Sequence, residues 1–101
     1  MSKYGMTNYR LESYQLFFSS TDSDLINAII GFMKENTRFG SHSKSPFDSI
    51  NTIKYKQNYE IPLESDLNKM ICNAGWEPFA VIGDKDGIGS KIIWFRKEYE
   101  D

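Results

Sequence analysis

The fold is decided by the stretch from Asn73 to Lys97, which reads NAGWEPFAVIGDKDGIGSKIIWFRK. Gly75 is placed as the left-handed residue that follows the end of a helix. Pro78 has no amide hydrogen to donate, so its strand is expected at a sheet edge or at a bulge. The stretch therefore predicts the end of a helix, an edge strand, a glycine-rich loop and a final strand.

The final strand carries apolar side chains on both of its faces. Ile93 and Phe95 alternate on one face, and Ile92 and Trp94 alternate on the other. A strand of this kind is central in its sheet, or has one face covered by a partner subunit. The residues after it, 98–101, are predicted to form an acidic tail.

Two amphipathic helices are expected earlier in the chain. Thr21 or Asp22 can cap the first, and Pro62 suits the start of the second. Both segments show apolar residues at helical spacing, which predicts that one side of each helix packs on a core. These apolar residues are Leu25, Ile29, Phe32, Met33, Leu63, Leu67, Met70 and Ile71.

Apolar and polar side chains alternate over residues 50–61, as they do in a half-solvated strand. Ile53 and Tyr55 fall on one side, whereas Lys54 and Lys56 fall on the other. Alternation of this kind is typical of an antiparallel sheet that has one face in water.

Residues 9–19 predict one more strand, near the start of the chain. The whole pattern predicts an α+β fold with the order β-α-β-α-β-β, in which a mainly antiparallel sheet carries two helices packed on one face. A single domain is expected over residues 1–101. Residues 1–8 are predicted as a loose N-terminal arm, and residues 37–49 as a long irregular loop.

Composition excludes several classes of protein. The chain has 101 residues, 40% of them hydrophobic, and a net charge of −2. This charge argues against binding to duplex nucleic acid, which requires a basic face. The sequence has no run of about 18 apolar residues, so no membrane span is expected. The single cysteine, Cys72, cannot form an internal disulfide, which fits a protein of the reducing cytoplasm. We expect Cys72 to pack near the apolar face of the second helix.

The sequence offers little catalytic chemistry. His42 and Cys72 are the only residues of their types, so four soft zinc ligands cannot be assembled, and His42 lies in a Ser/Gly-rich segment that would position a base poorly. The loop at residues 84–89 resembles a calcium loop, but Ile88 stands where an oxygen ligand is needed. We therefore predict no catalytic residues, no metal and no cofactor, and a protein that is not an enzyme.

Residues 50–98 resemble a family of short bacterial proteins of unknown function. The likeness rests on Leu67 and Ile71 in a helix, on Gly75-Trp76-Glu77, and on a C-terminal β-hairpin that ends in Arg96-Lys97. Residues 9–36 and the loop after them depart from the family pattern. The resemblance implies a small α+β unit that often self-associates, and it supplies no catalytic residues.

Three functions fit these observations. The first is a non-enzymatic interaction protein, such as a bacterial or phage-encoded inhibitor or adaptor, that binds another protein as a homo-oligomer. The second is a protein that binds or sequesters a small anionic, nucleotide-like ligand. The third is a weak binder of single-stranded nucleic acid.

Aromatic and basic residues are the candidates for contacts with a partner or ligand. Phe39 and Phe47 either pack back onto the core or await a partner, because phenylalanine is unusual in a simple linker. The candidate residues are Arg38, Phe39, Phe47, Lys54, Tyr55, Trp76, Trp94 and Arg96.

Overall fold

The computed structural model describes residues 3–57, 63–83 and 91–99. It contains two helices and six strands over these ranges. In chain order, the elements are β1 (Lys3–Leu11), β2 (Gln15–Ser20), α1 (Ser23–Asn36), β3 (Thr37–Lys44), β4 (Asn51–Gln57), α2 (Leu63–Asn73), β5 (Glu77–Ile82) and β6 (Ile92–Tyr99).

The strands form one sheet in the order β3-β4-β2-β1-β6-β5. Every neighbouring pair is antiparallel. Both helices pack on the same face of this sheet, where their apolar sides and alternate side chains of the strands form one core. The predicted α+β class, with two helices on one face of an antiparallel sheet, is confirmed.

A two-stranded hairpin precedes each helix, where the sequence predicted a single strand. The segment at residues 9–19 is divided by a turn, so that it contains the end of β1 and most of β2. The prediction of a loose arm was wrong for residues 3–8, which pair with β6 as part of β1. The predicted acidic tail overlaps β6, which continues to Tyr99, and residues 100–101 lie outside the described ranges.

The prediction of an irregular loop over residues 37–49 was also wrong. Residues 37–44 are β3, an edge strand paired with β4 over its whole length. Because most side chains of β3 face solvent, the strand has no apolar alternation by which it could be recognised. Pairing with β4 stabilises this strand although it contains a glycine and several serines. Only residues 45–50 remain as the hairpin connection.

Helix α1 begins and packs as the sequence predicts. Asp22 is the N-cap, and its Oδ1 accepts a hydrogen bond from the backbone N–H of Asp24 at 2.9 Å. Leu25, Ile29 and Met33 lie one turn apart and are buried in the core.

Helix α2 ends in a Schellman motif. The N–H of Gly75 donates to the Cys72 carbonyl at 3.0 Å, and the N–H of Trp76 donates to the Ile71 carbonyl at 3.3 Å. Gly75 has φ = 95°, a left-handed conformation that favours glycine and confirms its predicted position. Lys97 Nζ donates to the Ala74 carbonyl at 3.0 Å, so a cation lies at the negative end of the helix.

The two predicted C-terminal strands are confirmed, whereas the predicted glycine-rich loop at residues 84–89 and the predicted helix start at Pro62 lie outside the described residues. β5 is an edge strand, and its register with β6 shifts between Pro78 and Ala80, which marks a bulge. Ile93 and Phe95 are buried in the core, whereas Ile92 and Trp94 lie on the opposite face. Among the described residues, neither helix is long and apolar enough to cross a membrane.

A buried tyrosine connects the sheet to α2. Tyr9 is stacked on Phe95 with ring centres 6.0 Å apart, and its hydroxyl donates to Asn68 Oδ1. Burial raises the pKa of the Tyr9 phenol, and the nearby Glu64 carboxylate raises it further. The folded state therefore favours the neutral phenol, and this contribution to stability is present below about pH 10, the pKa of an unfolded tyrosine.

We expect the free energy of unfolding to fall as the pH rises above about 10. Tyr9→Phe should lose about 1 kcal/mol near neutral pH, because it removes one hydrogen bond, and should show a smaller alkaline fall. Urea titrations at neutral and alkaline pH measure both quantities. Tyr4→Phe, at an exposed position, is the control, and an equal alkaline fall in all three proteins would contradict the assignment to Tyr9.

Candidate functional site

The face of the sheet that carries neither helix is the candidate site, and we call it the open face. Its side chains alternate with those of the core along β1, β2 and β6. One row of cross-strand partners on this face reaches from one edge of the sheet to the other. The row consists of Ser43, Thr52, Phe17, Arg10, Ile92 and Ile82.

The part of the open face on β2, β1, β6 and β5 is named the mixed patch, because it combines apolar, cationic and anionic side chains. Near its centre, Arg10 Cζ lies 4.5 Å from the centre of the Phe17 ring. Arg10 Nε also lies 3.5 Å from a carboxylate oxygen of Glu12. The arginine is thus stacked on one side and charge-compensated on the other.

A second stacked arginine lies toward β5. Arg96 Cζ is 5.6 Å from the centre of the Phe79 ring, and Arg96 Nε is 3.7 Å from a carboxylate oxygen of Glu77. Both arginines of the mixed patch therefore have a carboxylate partner, and the patch as a whole is close to neutral.

Apolar side chains form a further part of the mixed patch. Ile92 and Trp94 are half-buried on β6, and Phe79 and Ile82 are exposed on β5. The Nε1 atom of Trp94 is buried and has no hydrogen-bond partner within the described ranges. An open sheet face is normally polar, so apolar groups of this size indicate a contact surface.

The part of the open face on β3 and β4 has a different character and is named the basic patch. It consists of Arg38, Lys54 and Lys56, all exposed. Arg38 and Lys56 are direct cross-strand partners, an arrangement of like charges that is unfavourable. Among residues 3–57, 63–83 and 91–99, no carboxylate lies within 4 Å of these three cations.

An open groove of about 900 Å³ adjoins the basic patch. It lies between the β1–β2 turn, residues 12–14, and the part of β4 that continues past the end of β2. Two hydrogen bonds hold this turn on β4: the Tyr55 N–H donates to the Tyr14 carbonyl at 2.9 Å, and the Tyr55 hydroxyl donates to the Glu12 carbonyl. The walls of the groove are therefore formed before any ligand enters.

The structure brings four of the predicted partner-binding residues to the open face. Trp94 and Arg96 lie in the mixed patch, and Arg38 and Lys54 form the basic patch with Lys56. Phe47 is elsewhere, in the β3–β4 connection, where 96% of its side chain is exposed.

The other three predicted residues lie on the helix side of the sheet. Tyr55 and Trp76 are buried in the core, and Phe39 is half-buried against it, with Lys34 Nζ 5.3 Å from its ring centre. The helices pack on the face where these three side chains lie, and Tyr55 and Trp76 are each only 3% exposed. For Phe39, the alternative of packing onto the core is the one observed.

Three apolar residues of the mixed patch were not predicted: Phe17, Phe79 and Ile82. A signal was present for Phe17, because Leu16 and Phe18 flank it and point to the core. By alternation, an aromatic residue between two core residues faces the opposite side of the sheet. Phe79 gave no comparable signal, since the bulge at Pro78 interrupts the alternation of β5.

His42 and Cys72, the only residues of their types, have different surroundings. His42 Nε2 is 2.8 Å from Asn51 Oδ1, and the imidazole stacks on Phe18 with ring centres 6.4 Å apart. Cys72 is exposed, which corrects the expectation that it packs near the apolar face of α2. The described residues contain no group of three or more His, Cys, Asp or Glu side chains that could hold a metal ion.

Comparison of the chain with known protein families, with curated proteins and with solved structures finds no significant match. The resemblance of residues 50–98 to a short bacterial family therefore stays a prediction.

Proposed function

We propose that this protein is a non-enzymatic interaction module that self-associates through the mixed patch of its open face. The observation that carries the proposal is the group of apolar side chains on the sheet face that neither helix covers. Ile92 and Trp94 are half-buried there, and Phe79 and Ile82 are exposed. Removal of such groups from water favours association.

The charges of the open face favour a second copy of the chain as the partner. In the mixed patch, Arg10 is paired with Glu12 and Arg96 with Glu77, so burial of the patch leaves no unpaired cation. A two-fold axis brings the same patch of both subunits together. The basic patch repels its own copy, so we expect it to lie outside the dimer contact.

The size of the mixed patch predicts a weak dimer. Its four strands lie about 4.8 Å apart and are about seven residues long, which gives a footprint of roughly 19 by 23 Å. This footprint is at the low end of the sizes found for specific interfaces. We therefore expect dissociation constants in the micromolar range and an interaction protein that exchanges partners readily.

Sedimentation velocity over a wide range of protein concentration tests the proposal. The mass should rise from the 11.7 kDa of one chain toward that of a dimer as the concentration increases. Because the contact is mainly apolar, added salt should change the association little. A mass that stays at one chain up to millimolar concentration would refute self-association.

The cytoplasmic location predicted from the sequence belongs to the same proposal. Cys72 is an exposed free thiol, which is compatible with a reducing compartment. Fractionation of the native host, followed by detection of the protein in the soluble and membrane fractions, tests the location.

A further inference from the structure

The basic patch is the second feature of the open face that the fold does not explain. Arg38 and Lys56 are opposed across β3 and β4, and Lys54 lies two residues from Lys56 on the same face. Cross-strand side chains of this kind are about 5 Å apart, so the like charges repel. No carboxylate of the described residues lies within 4 Å of these three cations to offset their repulsion. The cations thus form a positive site on a chain whose net charge is −2.

The groove beside the patch adds an aromatic wall. Lys54 and Lys56 line it on one side, and Tyr14 and Gln15 line it on the other. The side chain of Tyr14 is 67% exposed, so its ring is accessible for stacking. The carboxylate of Glu12, which also lines the groove, is compensated by Arg10 at 3.5 Å. Lysine charge therefore dominates the electrostatics of the groove.

We propose that this groove binds a nucleoside phosphate. The two lysines meet the phosphate groups, Arg38 adds to the positive field, and the base stacks on the Tyr14 ring. The groove volume of about 900 Å³ falls within the range of small-molecule sites. A nucleic-acid polymer fits less well, because it needs a continuous basic track, and the neighbouring mixed patch is close to neutral.

Calorimetric titration with each of the common ribonucleoside diphosphates tests the inference. At least one should bind, and its affinity should fall steeply with salt. Lys54→Gln combined with Lys56→Gln should weaken binding about tenfold or more, because two charged contacts are lost. The matched control combines Lys3→Gln with Lys69→Gln, two exposed lysines outside the groove, and should bind as the unmodified protein does.

Two further titrations measure the contributions of the phosphate groups and of the base separately. Inorganic phosphate and the free nucleosides should each bind more weakly than the diphosphate. Tyr14→Ala should weaken diphosphate binding about fivefold or more and leave phosphate binding unchanged. Circular dichroism spectra of all variants check that the fold is retained.

Absence of binding by all of the diphosphates would overturn the inference. Equal affinity of the two double variants would also overturn it, since binding would then not depend on the basic patch. These outcomes are independent of self-association, because the titrations can be made at concentrations where the chain is monomeric. Much tighter binding of single-stranded oligonucleotides than of diphosphates would also overturn the inference, because the ligand would then be a nucleic-acid polymer.

Discussion

Trp76→Ala should lower the free energy of unfolding by about 3 kcal/mol. Only 3% of the Trp76 side chain is exposed, and its ring meets the edge of Tyr99 with ring centres 6.4 Å apart. Gly5 packs closely on the indole: a Cβ atom added to this glycine would lie 2.9 Å from the ring. Truncation of a buried tryptophan costs about 3–5 kcal/mol. The indole Nε1 has no hydrogen-bond partner in the described part of the chain, and its removal offsets about 1 kcal/mol.

Urea denaturation of three variants measures this effect against suitable controls. Trp76→Phe keeps most of the aromatic volume and removes the unpaired N–H, so it should cost less than about 1.5 kcal/mol. Phe47→Ala removes a large aromatic side chain that is 96% exposed, and it should change stability by no more than about 0.5 kcal/mol. A Trp76→Ala loss as small as that of Phe47→Ala would show that Trp76 is not part of the core.

The contrast between Trp76 and Trp94 explains what the sequence could not reveal about the site. Both tryptophans were predicted to contact a partner, since residue type alone does not indicate which face a side chain occupies. Trp76 follows a helix end, where no alternation exists from which to read its direction. Its burial is a consequence of the Schellman motif, which turns the chain back onto the core.

Where alternation was present, it predicted the faces correctly. Ile53 and Tyr55 are buried, and Lys54 and Lys56 are exposed on the other side of β4. The same pattern could have excluded Tyr55 from the candidate residues, because it shares a face with Ile53. Local signals likewise predicted Gly75 and the bulge near Pro78.

The elements that escaped prediction are those whose stability comes from pairing. β3 has Gly40, two serines and few buried side chains, and it is a strand because β4 binds it along its length. The first half of β1 is similar, since it pairs with β6 at the other end of the chain. Such strands depend on the strands with which they pair, and the pattern of their own residues does not show that pairing. The mixed patch depends on the same pairing and could not be assembled from the sequence.

Ile82→Asp should weaken self-association by about tenfold or more. Ile82 is 54% exposed at the β5 end of the row of partners that crosses the open face. In the proposed dimer, an aspartate at this position would be removed from water without a cation of its own to pair with. Because the side chain is already half in solvent, the substitution should leave the stability of the monomer nearly unchanged.

Val81→Asp is the matched control, because it introduces the same charge at the adjacent position of the same edge strand. Val81 is 60% exposed, but its cross-strand partner is Ile93, so it lies on the helix side of the sheet. Sedimentation velocity should therefore show weaker association for Ile82→Asp and an unchanged dimer for Val81→Asp. Equal weakening of both would assign the contact to the β5 edge, where strand pairing exposes both faces to the partner. No effect of either would remove the β5 end of the mixed patch from the contact, so the pair of variants decides between face and edge.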